Sequence, residues 1–160
     1  MFKKNKSKEF LGRLLTMVIA VVLIFIIFFL INYFSTLADS KIVFVAGHKI
    51  RAELAQSDEE KILGLSKRDN LASNVGMIFI YDEYNIPSFW MKDMLFPIDI
   101  IWIKDDMVVG FEKNVMHPDS DNEKLLHYQP KTFVNYVLEV NSGFVAEKGI
   151  KIGDKVEFIF

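Results

Sequence analysis

An uninterrupted apolar run dominates the first quarter of the chain. Positions 14–31 read LLTMVIAVVLIFIIFFLI, which is 18 residues without a charge and with one hydroxyl, that of Thr16. As an α-helix these residues would extend roughly 27 Å, close to the thickness of the hydrocarbon core of a bilayer. Asn32 and Tyr33 follow, and tyrosine favours the membrane interface. The pattern predicts a transmembrane anchor over residues 14–34, with the lipid bilayer as its partner.

Basic residues before this run indicate its direction. Five of them stand in residues 1–13: Lys3, Lys4, Lys6, Lys8 and Arg13. Because such flanks stay in the cytoplasm, we expect a single-pass plasma-membrane protein with a cytoplasmic N-terminus and an extracytoplasmic C-terminal domain. Cleavage of a signal peptide after Ala38 is the alternative. An uncleaved anchor is favoured because the apolar run exceeds the 7–15 residues of a signal-peptide core.

Period-two alternation begins after a polar linker at residues 35–40. Ile50, Ala52 and Leu54 share one face of the segment 49–55, which is typical of a half-buried strand. Comparable patterns predict further strands over 41–46, 76–81, 88–94, 98–104, 107–113, 132–140 and 155–160. Turns are expected at Gly47-His48 and at Asp105-Asp106. The polar stretch 117–131 is predicted to be a long surface loop, a kind of segment that is often functional.

Two short helices are expected between the strands. Ser57 and Glu60 have the spacing of a capping box, so a helix should begin there and end near Ser66. Its apolar positions Ile62, Leu63 and Leu65 would give it one buried side. Residues 142–148 would form one or two further turns. Together these elements predict an all-β domain over residues 41–160, a β-sandwich or jelly-roll-like barrel with one or two short helices, preceded by a single transmembrane helix.

Charge and cysteine content narrow the function classes. The chain of 160 residues has a formal net charge of −2. Residues 1–38 carry five basic side chains against Glu9, which is +4, so the remainder carries −2 − 4 = −6. An acidic domain argues against nucleic acid as a partner. The absence of cysteine excludes disulfides, thiolate catalysis and cysteine-ligated metal centres.

Candidate chemistry concentrates between residues 89 and 99. If 88–94 is a strand, Trp90 and Lys92 share a face, and Asp99 lies in a central strand that is apolar on both sides. Glu139 also sits in an apolar strand, and buried carboxylates need partners. The functional interpretation is one polar cleft formed by Arg68, Trp90, Lys92, Asp93, Asp99 and Glu139. In the structural alternative, Asp99 and Glu139 cap loop backbones or form ion pairs that hold the sheet together.

Other catalytic or metal-binding signatures are weak or missing. His117 and His127 share the predicted loop with three acidic residues, Asp119, Asp121 and Glu123. These are metal-ligating types, but their spacing matches no standard site, so a solvated loop is favoured and no metal is predicted. The chain has no Gly-x-Ser-x-Gly elbow, phosphate loop or dinucleotide fingerprint. No catalytic residue and no cofactor are predicted.

Several segments in order resemble a known family, the domain of unknown function 192 family (DUF192). The resemblance rests on Leu54–Glu60 with Gly64-Leu65 and Arg68, Gly76–Phe79, Phe89–Lys92 with Pro97–Ile100, Tyr136–Glu139 with Gly143, and Ile152–Asp154. It covers about residues 42–160. The resemblance implies a small all-β domain of sandwich or jelly-roll-like topology that is often exported or membrane-anchored. The family has no established activity, so the resemblance implies fold and location but no chemistry.

Three functions remain open at this point. The favoured one is a binding or accessory module for an envelope component, a glycan, lipid or protein, in which Arg68 and Lys92 hold an anionic or hydroxylated group and Trp90 stacks on it. The second is a hydrolytic enzyme that uses Asp99 or Glu139 as acid or base. The third is a structural or assembly protein of the membrane. The absence of a recognisable nucleophile or metal set makes an enzyme the weaker hypothesis.

Overall fold

The computed structural model describes residues 3–38, 41–118 and 125–159. The chain divides into two compact units, Met1–Asp39 and Ser40–Phe160.

The first unit contains a single helix. Helix α1 spans Lys3–Ala38 and is 36 residues long. Its segment Lys8–Ile31 contains an 18-residue window with a mean hydropathy of 3.4, and none of that window is buried in the protein. A helix that is apolar all round and has no protein core to cover it is compatible with a membrane anchor or with a signal sequence.

The second unit is mostly β-structure. Its elements are β1 Lys41–Val45, β2 His48–Ala55, α2 Asp58–Leu63, β3 Val75–Asn85, β4 Ile98–Lys104, β5 Met107–Val115, β6 Val134–Asn141, α3 Phe144–Glu147 and β7 Val156–Ile159. The seven strands form one sheet in the order β5-β4-β6-β3-β2-β1-β7. Only the pair β2 and β3 is parallel. The mostly-β prediction is therefore confirmed.

The sheet is curved so that its two edge strands, β5 and β7, come into contact. Met107 at the start of β5 bridges to Lys155, just before β7. Beside this bridge, the Val108 N–H donates to the Asp154 carbonyl at 2.9 Å and the Val156 N–H donates to the Asp106 carbonyl at 2.7 Å. All named strands thus belong to one rolled, half-barrel sheet, and not to the two stacked sheets of a sandwich.

Each face of the sheet carries its own hydrophobic core. The inner core takes residues from all seven strands and is completed by Phe144, Val145 and Ile150 around α3. The outer core lies on the other face. It consists of strand residues such as Met77, Phe79, Ile100, Trp102 and Val137 and of loop residues such as Leu65, Phe89, Met91 and Met94. Burial on both faces explains why β4 reads as apolar on both sides, as expected for a central strand.

Gly76 of β3 lies close to the backbone of the neighbouring strand β6. A Cβ on this residue would come within 2.7 Å of the Glu139 carbonyl oxygen, and the side chains of Val140 and Ile50 leave no room either. Because that carbonyl belongs to the neighbouring strand β6, it cannot move aside. The contact fixes the spacing between β3 and β6, and thereby the position of Glu139.

The predicted strand over 88–94 is wrong. This segment is a loop packed on the outer face, with a single bridge between Phe89 and Tyr128. Its backbone turns at Asp93, whose φ of 57° is left-handed and incompatible with a continuing strand. The alternation itself holds, since Phe89 and Met91 are buried while Trp90 and Lys92 are exposed. The remaining strands are found within a few residues of their predicted bounds.

Helix α2 begins as predicted but packs differently. Ser57 accepts from the Glu60 N–H, the Glu60 side chain accepts from the Ser57 N–H, and Gly64 ends the helix. Only part of the apolar side that was predicted to be buried is in fact buried. Leu65 is buried, whereas Ile62 and Leu63 are 70% and 57% exposed. The sheet therefore leaves two large apolar side chains of α2 uncovered.

Candidate functional site

A cavity of about 370 Å³ opens on the outer face of the sheet. It lies between α2 with the turn that follows it, the middle of β3, and the loop 86–94. Its lining residues are Asp58, Lys61, Ile62, Leu63, Gly64, Leu65, Ser66, Phe79, Tyr81, Pro87, Ser88, Phe89, Trp90, Met94 and Glu139. The loop 86–94, which contains the wrongly predicted strand, and helix α2 with its exposed apolar side chains therefore form the two sides of this opening.

The walls are apolar and partly aromatic. Phe79 and Phe89 meet edge to face with their ring centroids 4.9 Å apart. Both belong to the buried outer core, so these walls are fixed by packing. The rim is different, because Ile62 and Leu63 are exposed and Trp90 is 45% exposed. Trp90 also contacts His127, at 5.6 Å between ring centroids.

Glu139 is the buried polar group of this cavity. It stands opposite Met77 on β3 and Ile100 on β4, both members of the outer core, so its side chain points to the outer face. The residue is 5% exposed. Its carboxyl makes no hydrogen bond or salt bridge with any residue of 41–118 or 125–159. Burial raises the pKa of Glu139 to about 8, against an opposing effect of the Arg68 charge.

Arg68 is near Glu139 but is already engaged. Its guanidinium donates to both carboxylate oxygens of Glu53, at 2.9 and 2.8 Å. This bidentate pair satisfies the geometry that an arginine prefers. Arg68 therefore lowers the pKa of Glu139 only from a distance, and the predicted role of Arg68 as a free ligand anchor loses its basis.

Tyr81 and Lys61 complete the polar side of the cavity. Burial, and next the charge of Glu139, raise the pKa of the Tyr81 hydroxyl to about 12. Lys61 Nζ lies over the Tyr81 ring, 4.7 Å from its centroid. The face of Tyr81 is thus already in use as a cation–π surface.

Asp99 is on the other face of the sheet, outside the cavity. It pairs with Val140 of the inner core and is fully buried. Its Oδ1 accepts from the N–H groups of Asn114 at 2.8 Å and Gly143 at 3.2 Å, and its Oδ2 accepts from the Val145 N–H at 2.8 Å. Since α3 has no side-chain cap of its own at Gly143, Asp99 supplies it. The predicted cleft shared by Asp99 and Glu139 is wrong.

Lys92 and Asp93 border a second, neighbouring groove. This groove of about 340 Å³ is lined also by Trp90 and by the exposed side of α2. Ser66 Oγ donates to the Lys92 carbonyl at 2.9 Å, and the Lys67 N–H donates to the Asp93 carbonyl at 2.7 Å. Of the six predicted site residues, the structure therefore places Trp90 and Glu139 in the cavity, Arg68 close to it, Lys92 and Asp93 beside it, and Asp99 elsewhere.

Some cavity residues were missed at the sequence level. Tyr81 follows Phe79 and Met77 at intervals of two along β3, so the alternation gave a signal for its face. Ser88 and His127 gave none, although Ser88 Oγ lies 3.0 Å from His127 Nδ1. They are 39 positions apart and meet only through the bridge between Phe89 and Tyr128.

The predicted loop over 117–131 is described only in part. Residues 116–118 and 125–127 have no regular secondary structure, while Asp119, Asp121 and Glu123 lie outside the described residues. Within the described part of the chain, no group of three His, Asp or Glu side chains is placed to hold a metal ion.

Comparisons with known proteins support one fold. A family model for DUF192, an uncharacterized ACR, matches residues 41–158. A protein of unknown function from Novosphingobium aromaticivorans is 36% identical with a TM-score of 0.64, and the match covers 72% of this chain and 83% of that one. A protein from Sinorhizobium meliloti, whose name proposes a transcription regulator, is 29% identical with a TM-score of 0.65, over 74% and 93%. The comparison with curated proteins gave no match.

Proposed function

The chain belongs to the DUF192 family, and within this family of unassigned activity we propose that its β-domain is a binding module for a small amphiphilic ligand. The ligand enters the cavity between α2 and the loop 86–94. The observation that carries the proposal is the carboxyl of Glu139, which is buried and without a partner among the described residues inside an aromatic-walled cavity.

The dimensions and the lining support a small-molecule site. Ligand pockets usually measure about 300–1,000 Å³ and combine mostly apolar walls with a few polar groups. This cavity measures about 370 Å³ and is walled by side chains such as Leu65, Phe79, Phe89 and Met94. A polar ligand group would reach Glu139 at the inner end, and an apolar part would remain against Trp90, Ile62 and Leu63 at the rim.

The surroundings of the cavity support a revised set of roles. Trp90 keeps the stacking role proposed from sequence, because it is half-exposed at the mouth. Lys92 and Asp93 are left to contact whatever part of the ligand extends into the neighbouring groove. The name of the Sinorhizobium protein proposes a transcription regulator; for this chain the acidic charge of the domain argues against nucleic acid as the ligand.

We further propose that α1 holds this domain at the outer face of the plasma membrane, so that the ligand is an envelope component. The length and hydropathy of Lys8–Ile31 and the basic residues before it support that orientation. Because the chain has no native cysteine, single introduced cysteines can test this orientation directly. In intact cells, a membrane-impermeant maleimide should label Asp82→Cys, on an exposed site of β3, and should not label Lys8→Cys. Labelling of both variants only after lysis would contradict the orientation.

Binding is tested with three hexyl probes that differ only in the polar group: hexanol, hexanoate and hexyltrimethylammonium. At least one should raise the melting temperature of the full chain in dodecyl maltoside. Trp90→Ala should weaken the binding of that probe about tenfold, which corresponds to the loss of an aromatic contact worth about 1.4 kcal/mol. Phe133→Ala, an exposed aromatic residue outside the cavity, should leave binding unchanged.

Two outcomes would redirect the proposal. If no probe raises the melting temperature, or if Trp90→Ala and Phe133→Ala behave alike, the cavity is not the binding site. Release of hexanol and acetate from hexyl acetate and water in the presence of the full chain would instead support the hydrolytic alternative. Because Asp99 is fully engaged on the opposite face, that alternative now depends on Glu139 alone as acid or base.

A further inference from the structure

The geometry points to an alkylammonium group as the part of the ligand that the cavity selects. We propose that its nitrogen is held between the Glu139 carboxylate and the aromatic rings of the cavity. This inference rests on the proposed function of the same cavity and adds the chemical class of the ligand.

Glu139 has no counter-ion among the described residues that hydrogen-bonds to its carboxyl. Buried carboxylates in proteins are normally paired with a cation or hydrogen-bonded. Here the nearest guanidinium, that of Arg68, gives two hydrogen bonds to Glu53. None of the described residues provides a donor to the Glu139 carboxyl. A ligand cation would supply the missing partner, whereas an anionic ligand would add a second negative charge.

The lining of the cavity is rich in aromatic side chains. Rings of Phe79, Tyr81, Phe89 and Trp90 face the cavity. Ammonium groups bind favourably within about 6 Å of such rings, and aromatic cages are the common recognition device for quaternary ammonium ligands. The protein already uses one of these faces in this way, since Lys61 Nζ sits 4.7 Å from the Tyr81 centroid. A carboxylate beside aromatic faces is the complement of a methylated ammonium group.

The charged groups around Glu139 also favour a cationic ligand. Helix α2 brings Asp58 and Lys61 to the cavity, the turn after it brings Arg68 with its partner Glu53, and β3 brings Tyr81. Beside Trp90 the segment 125–128 brings His127. Strand β4 presents Ile98, Ile100 and Trp102 to this face. With Glu139 ionised, the charged lining residues sum to −1, which favours a monocation.

Binding should therefore depend on pH through Glu139. In the empty cavity burial raises the pKa of Glu139 to about 8, so its carboxyl is mostly protonated at pH 6. A quaternary ammonium keeps its charge at every pH, and binding it requires the carboxylate. The affinity for hexyltrimethylammonium should rise about 50-fold between pH 6 and pH 8, following the ionised fraction of a group with that pKa.

The experiment is a calorimetric titration of the full chain in dodecyl maltoside with the three hexyl probes at pH 6, 7, 8 and 9. Hexyltrimethylammonium should bind at least tenfold more tightly than hexanol at pH 8, and hexanoate should bind least. Glu139→Gln keeps the shape and removes the charge, so it should abolish both the preference and the pH dependence. The tryptophan emission of this variant establishes that it remains folded.

Equal affinity for hexanol and hexyltrimethylammonium at pH 8, or a pH dependence that persists in Glu139→Gln, would overturn the ammonium inference. The proposed function would survive that result if hexanol binding still required Trp90. The source of the ammonium group is decided by adding choline and lysophosphatidylcholine as competitors. Competition by choline alone supports a free quaternary ammonium compound, and competition only by the lipid supports a headgroup. Failure of both competitors counts against a choline-type ligand and so against the inference.

Discussion

Replacing Asp99 with alanine should lower the free energy of unfolding by about 4 kcal/mol, which is a large part of the stability of a domain of this size. The substitution removes one carboxylate and leaves three backbone N–H groups, those of Asn114, Gly143 and Val145, without their acceptor. Because Asp99 is fully buried, water cannot take the place of its carboxylate as the acceptor for these N–H groups. We expect α3 to lose its N-terminal cap and the inner core to lose the packing of α3 against it.

Urea denaturation of the full chain measures this loss. Both tryptophans, Trp90 and Trp102, lie in the β-domain, so their fluorescence reports its unfolding. Asp99→Asn keeps one acceptor oxygen and should cost about 2 kcal/mol. The control Asp82→Ala, at an exposed position of β3, should stay within about 0.5 kcal/mol. If Asp99→Ala were as stable as the control, the structural role of Asp99 would be disproved.

Replacing Glu139 with glutamine should raise the free energy of unfolding, and the size of this increase should depend on pH. In the folded protein the pKa of Glu139 is raised to about 8 from an ordinary 4.5. Between these values the folded state retains a proton that the unfolded state releases, so rising pH destabilises the native protein throughout this window. Glutamine does not titrate. The variant should therefore match the parent near pH 5 and exceed it by about 4 kcal/mol at pH 9.

The measurement is the denaturation midpoint at pH 5, 7 and 9 without ligand. Glu83→Gln, at an exposed glutamate of the same sheet, should change with pH as the parent does. A parent protein whose stability does not fall between pH 5 and pH 9 relative to Glu139→Gln would show that the Glu139 carboxyl has a partner in solution. In that case the basis for the binding proposal would be removed as well.

These two carboxylates illustrate opposite uses of burial. Asp99 and Glu139 lie on neighbouring strands, and their registers differ by one residue, which places them on opposite faces of the sheet. The oxygens of Asp99 are occupied by backbone donors, so this residue stabilises the fold. The carboxyl oxygens of Glu139 have no hydrogen-bond partner among the described residues and face the cavity. Burial alone therefore does not distinguish a structural carboxylate from a functional one, whereas the hydrogen-bond partners do.

Local patterns were sufficient to predict most elements. The capping box at Ser57 and the alternation of Ile50, Ala52 and Leu54 depend on neighbours in sequence, and the structure confirms both. The loop 88–94 was mistaken for a strand because an extended segment that packs on a sheet also alternates between buried and exposed side chains. Only its hydrogen-bond partners distinguish the two, and these are distant in sequence.

The cavity could not be predicted for the same reason. Its sides come from α2 and from the loop 86–94, which meet only because the connection after β2 returns to place β3 parallel to it. The sequence also could not indicate that Ile62 and Leu63 remain exposed, since their apolar character is typical of a buried helix face. The pairing of Arg68 with Glu53 is likewise set by the fold.

The position of β7 has a consequence for biosynthesis. Strand β1 is hydrogen-bonded on one side to β2 and on the other to β7, so the first and last strands of the domain are neighbours. A nascent chain can form the β1–β2 hairpin early, but one edge of β1 stays open until residues 156–159 have been made. Contacts this distant in sequence form late and slowly. Until those residues are made, the open edge of β1 exposes backbone N–H and C=O groups that can pair with a strand of another chain, so the pairing with β7 removes a site of aggregation.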